Sequence, residues 1–381
     1  MNQKQTLSTK ANRLTSLDAL RGFNMFWIIG GEEIADALRH LSFPGAGLIA
    51  AQLNHALWNG FTFYDLIYPM FIFVVGISIA FSIESRRKKG ESSLRILQHI
   101  LIRTGLLFLL GVYMSNSGYF WRGIWTNIRL MGVLQRIALC YCGASILALF
   151  ANPRRQIITV ICILAGYWFL LRFIPVPGVG MANWDQPQAN LANYLDSRLL
   201  PGRLYYGAWD PEGLLSTFPA LATCLLGLIT GYWLKNEQRV NDRLFTKTDK
   251  SLFLAMAGAV LLVLGILWGL DFPINKKIWT SSYVLVAGGL SAVFMAFFYW
   301  FIDLRGHKKW AFPFVVIGLN SIFIYVAVNI VPFGAMANWL IGDRIFTWLG
   351  EGRDLFQAVL TLIIEWMALY IMYKRKIFLR L

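Results

Sequence analysis

The stretch LNHALWNGFTFYDLIYP, residues 53–69, sets one histidine, two asparagines, a tryptophan and an aspartate at the start of an apolar run. Imidazole titrates near ~6.5, so His55 is suited to take or give a proton in neutral water. Asp65 lies one turn into the apolar run and fits two roles. It can complement a helix N-terminus, or it can accept a hydrogen bond from one ring nitrogen and orient His55. Glu32 and Glu33 end another apolar run, after WIIGG. Gln135 and Arg136 sit inside MGVLQRIALCY, and Asn320 and Ser321 inside FVVIGLNSIFIY. No acid lies within four residues of Arg136, so it needs a distant partner or a polar cavity. Asp18 and Arg21 are three apart and can pair on one helix face. Polar and ionisable groups placed this way are costly in lipid and mark a pathway or a site, although interhelical hydrogen bonding explains Asn320 and Ser321 equally well. His40, His99 and His307 do not fall into a metal-ligand spacing, and no metal is expected. Nor is there a Walker loop, a nucleophile elbow or a dinucleotide fingerprint.

The elements that must position these residues are set by composition. The 381-residue chain is 57% hydrophobic and 14% charged, with a mean hydropathy of +0.55. Soluble domains carry about 25% charged residues. The apolar excess comes in blocks of about 20 residues, the length of helix that crosses a bilayer. Runs such as SLFLAMAGAVLLVLGILWGL show no period-two alternation, which favours helices over a barrel. An all-α polytopic membrane protein is therefore predicted. Its ten spans fall near 17–37, 62–83, 95–115, 131–150, 156–173, 212–234, 252–270, 281–302, 311–330 and 354–373. Residues 1–16 form an N-terminal segment, 17–373 a single transmembrane domain and 374–381 a basic tail. The opening MNQKQTLSTKANR lacks the apolar centre of a cleavable signal, so the first block is expected to stay as a span. Cys140, Cys142, Cys162 and Cys224 all lie in apolar blocks and read as small hydrophobes.

Orientation follows from charge. Of the 35 Lys and Arg residues, 22 fall on the connections shared with the two termini and nine on the opposite side. The positive-inside bias puts both termini in the cytoplasm and His55 on the outer face. The net charge of +15 flanks the apolar blocks, where it meets lipid, so no nucleic-acid partner is expected. Two outer connections are long, near 38–61 and 174–211. The second is rich in Pro, Gly, Asn and aromatics and reads either as a folded loop able to contact a sugar or as an interfacial aromatic belt. Residues 331–353 are expected to form a re-entrant or interfacial segment.

Six stretches, in order, resemble the transmembrane heparan-α-glucosaminide N-acetyltransferase family: RLTSLDALRGFNMF, NHALWNGFTFYDLIYPMFIFVVGISI, MGVLQRIALCY, DPEGLLSTFPALATCLLGLITG, NKKIWTSSYV and GLNSIFIYV. Together they cover nearly the whole chain. SLDALRG occurs in other membrane acyltransferases; H-A-x-W-N-G followed by D-L-x-x-P is more specific. The resemblance implies that acetyl-CoA, the acetyl donor, is drawn from the cytoplasmic side and that the acetyl group passes to the amine of a terminal glucosamine on the other. It maps the family's active-site histidine onto His55. Glu32 falls where the lysosomal enzymes carry an asparagine, and the extra luminal region and leading span of those enzymes have no counterpart. A bacterial inner-membrane relative with a different acceptor is expected.

His55, Asp65 and Glu32 are accordingly the candidate catalytic residues, with His55 a general base for direct attack or itself the acetyl carrier. Arg21, Gln135, Arg136, Trp279 and Asn320 are candidates for the donor site, and Asn54, Trp58, Asn59 and Glu33 for the acceptor. Arg86 and Arg87 are further candidates for the CoA phosphates. Two rival readings stand: a non-enzymatic carrier or flippase of an amino sugar or lipid-linked glycan, and O-acetylation of a cell-envelope glycan. The acceptor and the oligomeric state, a homodimer included, are not fixed by the residues.

Overall fold

The computed structural model describes residues 14–125, 127–235, 239–240 and 243–379. Lys4, Lys10 and Arg13 of the N-terminal segment and Arg380 of the tail, which entered the charge count, lie outside the described residues. The chain is an all-α polytopic membrane protein. Its long helices are α1 (Thr15–Arg39), α3 (Phe63–Lys88), α4 (Ser93–Phe120), α5 (Val133–Phe150), α6 (Pro153–Phe173), α8 (Thr217–Lys235), α9 (Lys247–Trp268), α10 (Ser281–Phe298) and α14 (Arg353–Lys374). Short helices α2 (Ala46–Gln52) and α7 (Leu191–Leu199) sit in the two long connections. A two-residue antiparallel pair, β1 (Arg239–Val240) and β2 (Arg243–Leu244), precedes α9.

Among the described residues, eight helices are long and apolar enough to cross a membrane. A ninth candidate span is α11 (Lys308–Leu319) with α12 (Ser321–Ala327), bent by 64°. The predicted span 311–330 is therefore broken. Asn320 at φ −128°, ψ 35° leaves the helical region at the joint. The first predicted span is α1, long enough to cross but loaded with Asp18, Arg21, Glu32 and Glu33. The span predicted from 212 begins as helix only at Thr217. Residues 331–353 hold α13 (Phe333–Leu349), interrupted at Gly342, whose φ is +69°.

Helix starts follow local chemistry. Ser92, Asn152 and Thr280 accept hydrogen bonds from backbone N–H groups in the first turns of α4, α6 and α10, which otherwise lack partners. At α3, Thr62 and Asp65 form a capping box. α3 is the centre of the bundle: 78% of its apolar window is buried, against 22% for α4, α9 and α14. It packs on α8 through glycines. A Cβ on Gly76 would lie 1.9 Å from the Cys224 carbonyl oxygen, and one on Gly227 would lie 1.9 Å from that of Phe73. In lipid, where apolar side chains gain little by leaving the solvent, such close backbone contact supplies the association energy.

Candidate active site

The site is built at the start of α3. Asp65 Oδ2 accepts the backbone N–H groups of Thr62 at 3.2 Å and of Ala56 at 3.1 Å. Asp65 Oδ1 is left facing His55 Nδ1 at 2.8 Å. The two sequence readings of Asp65, helix cap and histidine partner, thus hold together, one oxygen for each. The Thr62 hydroxyl donates to the Asn54 carbonyl at 2.7 Å, closing the loop that presents His55. Asp65 itself is 1% exposed, whereas the His55 side chain is 42% exposed, with its ring centroid 4.7 Å from that of Tyr64 at a tilt of 38°. With the Asp65 carboxylate accepting at Nδ1, the proton belongs on Nδ1 and the lone pair on Nε2.

Lys276 closes the cluster. Its Nζ lies 2.9 Å from His55 Nδ1, 3.2 Å from Nε2 and 3.5 Å from Asp65 Oδ1. Burial pushes the Lys276 amine below the usual lysine range, and the Asp65 carboxylate pulls it back up. Lys277 is also pushed down by burial and donates to the Leu57 carbonyl at 2.5 Å.

A cavity of about 570 Å³ runs from this cluster into the bundle. Its end at His55 includes Glu32, Asp65, Arg129, Tyr205, Glu212, Lys276 and Trp279. Its other end includes Arg21, Ser78, Ser82, Arg103 and Tyr141. Asp65 and Ser82 both line it from α3, seventeen residues apart, which is about 25 Å along the helix. Arg21 donates to the Ser78 hydroxyl at 2.6 Å and pairs with Asp18 at 3.4 Å. Arg103 lies 4.7 Å over the Tyr141 ring, with its Nε buried and unpartnered. At the His55 end, Arg129 forms a fork on Asp210 at 2.8 and 2.7 Å and reaches Glu212 at 2.7 Å. Paired guanidinium–carboxylate bonds of this kind fix geometry as well as charge.

Several sequence candidates lie away from the cavity. Arg136 is fully buried and donates to the Pro211 carbonyl at 2.8 Å and the Ser216 hydroxyl at 2.5 Å, with its guanidinium 4.9 Å over Trp279. The distant partners it needed are a carbonyl, a hydroxyl and a ring, and it holds the turn before α8. Gln135 donates to the Leu130 carbonyl. Asn320 exchanges hydrogen bonds with the tail, to the Ile377 carbonyl at 3.1 Å and from the Leu379 N–H at 2.9 Å. Asn54 donates to the Ala50 carbonyl. Trp58 and Asn59 donate to the Trp184 carbonyl at 2.6 and 2.9 Å, stitching the two long connections together. Arg86 pairs with Glu91, and Arg87 donates to the Leu149 carbonyl. Glu33 lines a second cavity, of about 450 Å³, with Glu32, Asn329 and Glu365.

Sequence reasoning missed Lys276, Arg129, Glu212 and Arg103 as cavity residues. Lys276 and Arg129 are among the nine basic residues counted on the side opposite the termini, and Lys276 also falls within the NKKIWTSSYV stretch, but neither was singled out for chemistry. For Arg103, an arginine inside an apolar run, the signal was present.

The fold and the site together define a polytopic α-helical membrane protein with a His–Asp pair at the mouth of a cavity whose inner end is lined by arginines. A family model described as heparan-alpha-glucosaminide N-acetyltransferase, catalytic, matches residues 13–268, and the chain belongs to that family. Proteins named heparan-alpha-glucosaminide N-acetyltransferase from Mus musculus and Homo sapiens align over 99% and 98% of this chain, at 25% and 28% identity. The chain spans 62% and 60% of their own lengths.

Proposed function

We propose that the protein is a transmembrane acetyltransferase: acetyl-CoA enters from the side of Arg21 and Ser82, and its acetyl group passes to the amine of a glucosamine-type sugar at His55 on the outer face. The observation that carries this reading is the cavity joining the His55–Asp65 pair to an arginine-lined end about 25 Å away. Its length suits an extended pantetheine arm, and Arg21 and Arg103 suit the anionic nucleotide end. A carrier needs a passage, but it does not need a histidine oriented by a buried carboxylate.

His55 Nε2, with Nδ1 held by Asp65, takes the proton from the attacking amine. Asp65 holds the ring and stabilises the imidazolium that forms. In this reading Glu32, which lines the same cavity, holds the acceptor amine. Apolar side chains such as Met25, Ile67 and Phe71 line the same cavity, and a low-dielectric lining strengthens these interactions. In this reading both termini face the cytoplasm of a bacterial inner membrane, as the distribution of basic connections supports.

The test is acetyl-CoA turnover in proteoliposomes against glucosamine, muropeptides and hydroxyl-bearing glycans, with mass spectrometry of the products. His55→Ala is expected to abolish transfer while acetyl-CoA binding persists. A variant with full activity would remove His55 from the chemistry, and products acetylated only on oxygen would change the acceptor class. Release of one CoA per protein in the absence of acceptor would favour an acetyl-histidine over direct attack.

A further inference from the structure

Lys276 has no part in the mechanism above, yet its Nζ is nearer the imidazole, at 2.9 and 3.2 Å, than Asp65 Oδ1, at 3.5 Å. Neutralising Asp65 would ask only for closeness to the carboxylate. Nδ1 commits its proton to Asp65, so the ring atom able to accept from the ammonium is Nε2. That is the lone pair the acceptor's proton must reach.

The segment that carries Lys276 is tied down on every side. Asn275, 1% exposed, accepts the N–H groups of Lys277 and Ile278 through Oδ1 at 2.8 and 3.2 Å. Its Nδ2 donates to Asn59 Oδ1 at 3.0 Å, and its backbone N–H to the Thr280 hydroxyl at 3.0 Å. Gly60 donates to the Ile274 carbonyl at 2.9 Å, so the His55 loop and the Lys276 loop share a hydrogen bond. Trp279 holds φ +54°, a conformation costly for a large side chain and kept only where the surroundings over-determine it. Orientation in a bilayer requires none of this.

We infer that Lys276 is a catalytic residue of the acyl transfer: its ammonium passes from His55 Nε2 to the carbonyl oxygen of the acetyl thioester and holds the negative charge that develops there. The inference rests on the acetyl-transfer reading above. The neutral amine nitrogen forms the new C–N bond, the carbonyl π pair moves onto oxygen, and a Lys276 N–H donates to it. The proton on the attacking nitrogen goes to the freed Nε2. The oxygen pair then returns, the C–S bond breaks, and the thiolate leaves with the proton from His55. The products are an amide and a thiol, with no change of oxidation state. The exchange also links the two groups, because Nε2 is released as a base when a carbonyl oxygen takes its donor.

The test uses the full chain in lipid nanodiscs. Lys276→Met is expected to lower kcat by about 100–1,000-fold, the loss typical of one oxyanion donor, with the KM for acetyl-CoA nearly unchanged. Lys276→Arg, which keeps the charge, is expected to recover part of kcat. Without acceptor, infrared difference spectra of protein-bound acetyl-CoA carrying a 13C-labelled carbonyl should place the C=O stretch lower in the wild type than in Lys276→Met. Equal frequencies in the two proteins, or a kcat unchanged in Lys276→Met, would overturn the assignment. So would loss of acetyl-CoA binding in both variants, which marks a structural lysine. A wild type inactive on every amine sinks acetyl transfer itself, and the infrared comparison then judges Lys276 alone.

Discussion

The Asp65 carboxylate meets His55 Nδ1 at 2.8 Å through Oδ1, while its Oδ2 accepts the N–H groups of Ala56 and Thr62 at the start of α3. One side chain therefore caps a central helix and aims the histidine. The geometry couples the position of His55 to the most buried helix of the bundle.

This dual role can be separated by two substitutions. Asp65→Asn keeps an oxygen for the cap but presents an amide to the ring, so it is expected to fold and to lose about 10²–10⁴-fold in kcat. Asp65→Ala loses the cap as well, and should cost about 1–2 kcal/mol of stability more than the asparagine variant. Thermal unfolding beside acetyl-transfer rates checks both. Equal stability of the two variants would remove the cap from the account.

At the far end of the cavity, Arg103→Ala and Arg21→Ala are expected to raise the KM for acetyl-CoA by about 10–100-fold, the worth of one charge-assisted hydrogen bond. The effect on kcat should be smaller. Measured against acetyl-pantetheine, which lacks the nucleotide, both substitutions should have little effect. A similar penalty with both donors would place these arginines away from the phosphates.

The α3–α8 contact is packed backbone against backbone. Gly76→Ala puts a Cβ 1.9 Å from the Cys224 carbonyl oxygen and must push the helices apart. A loss of about 1–3 kcal/mol is expected from overpacking of this kind. Gly105→Ala is the control: its Cβ meets nothing within 4 Å, and it should be neutral or stabilising by up to about 1 kcal/mol. Thermal unfolding in detergent ranks the two.

Asp196, in α7, makes a separate pH prediction. Burial pushes its carboxyl up to about 6, against one hydrogen bond from the Leu214 N–H at 2.8 Å and the pull of Arg136. The folded protein therefore holds this proton more tightly than the unfolded chain. The sign is that of a raised acid: the contribution is full below the unfolded value, near ~3.9, and is lost as pH rises through about 6. Asp196→Asn should raise stability at pH 8 by on the order of 3 kcal/mol and change it little near pH 4. Thermal melts at the two pH values test this, and an equal shift at both would contradict it.

Much of this molecule is legible along the chain. Apolar blocks of membrane length predict the helices because a backbone in lipid must satisfy its own hydrogen bonds. Motifs such as H-A-x-W-N-G followed by D-L-x-x-P carry the family. His55 and Asp65 are close in sequence, so their pairing is a local matter settled by one loop and one cap. The tertiary structure decided the rest, for residues that are far apart in the chain. Lys276 is 221 residues from His55, and nothing along the chain sets its side chain beside the imidazole until α10 docks beside α3. Arg129 and Asp210 meet only when the turn before α8 folds back over the start of α5. Arg136 shows the converse. Its burial is readable from the apolar block around it, but whether its partner is an acid, a substrate or a carbonyl depends on which turn packs against it. Composition and periodicity act over one helix; charge and hydrogen-bond partners inside a bundle are set by packing between helices.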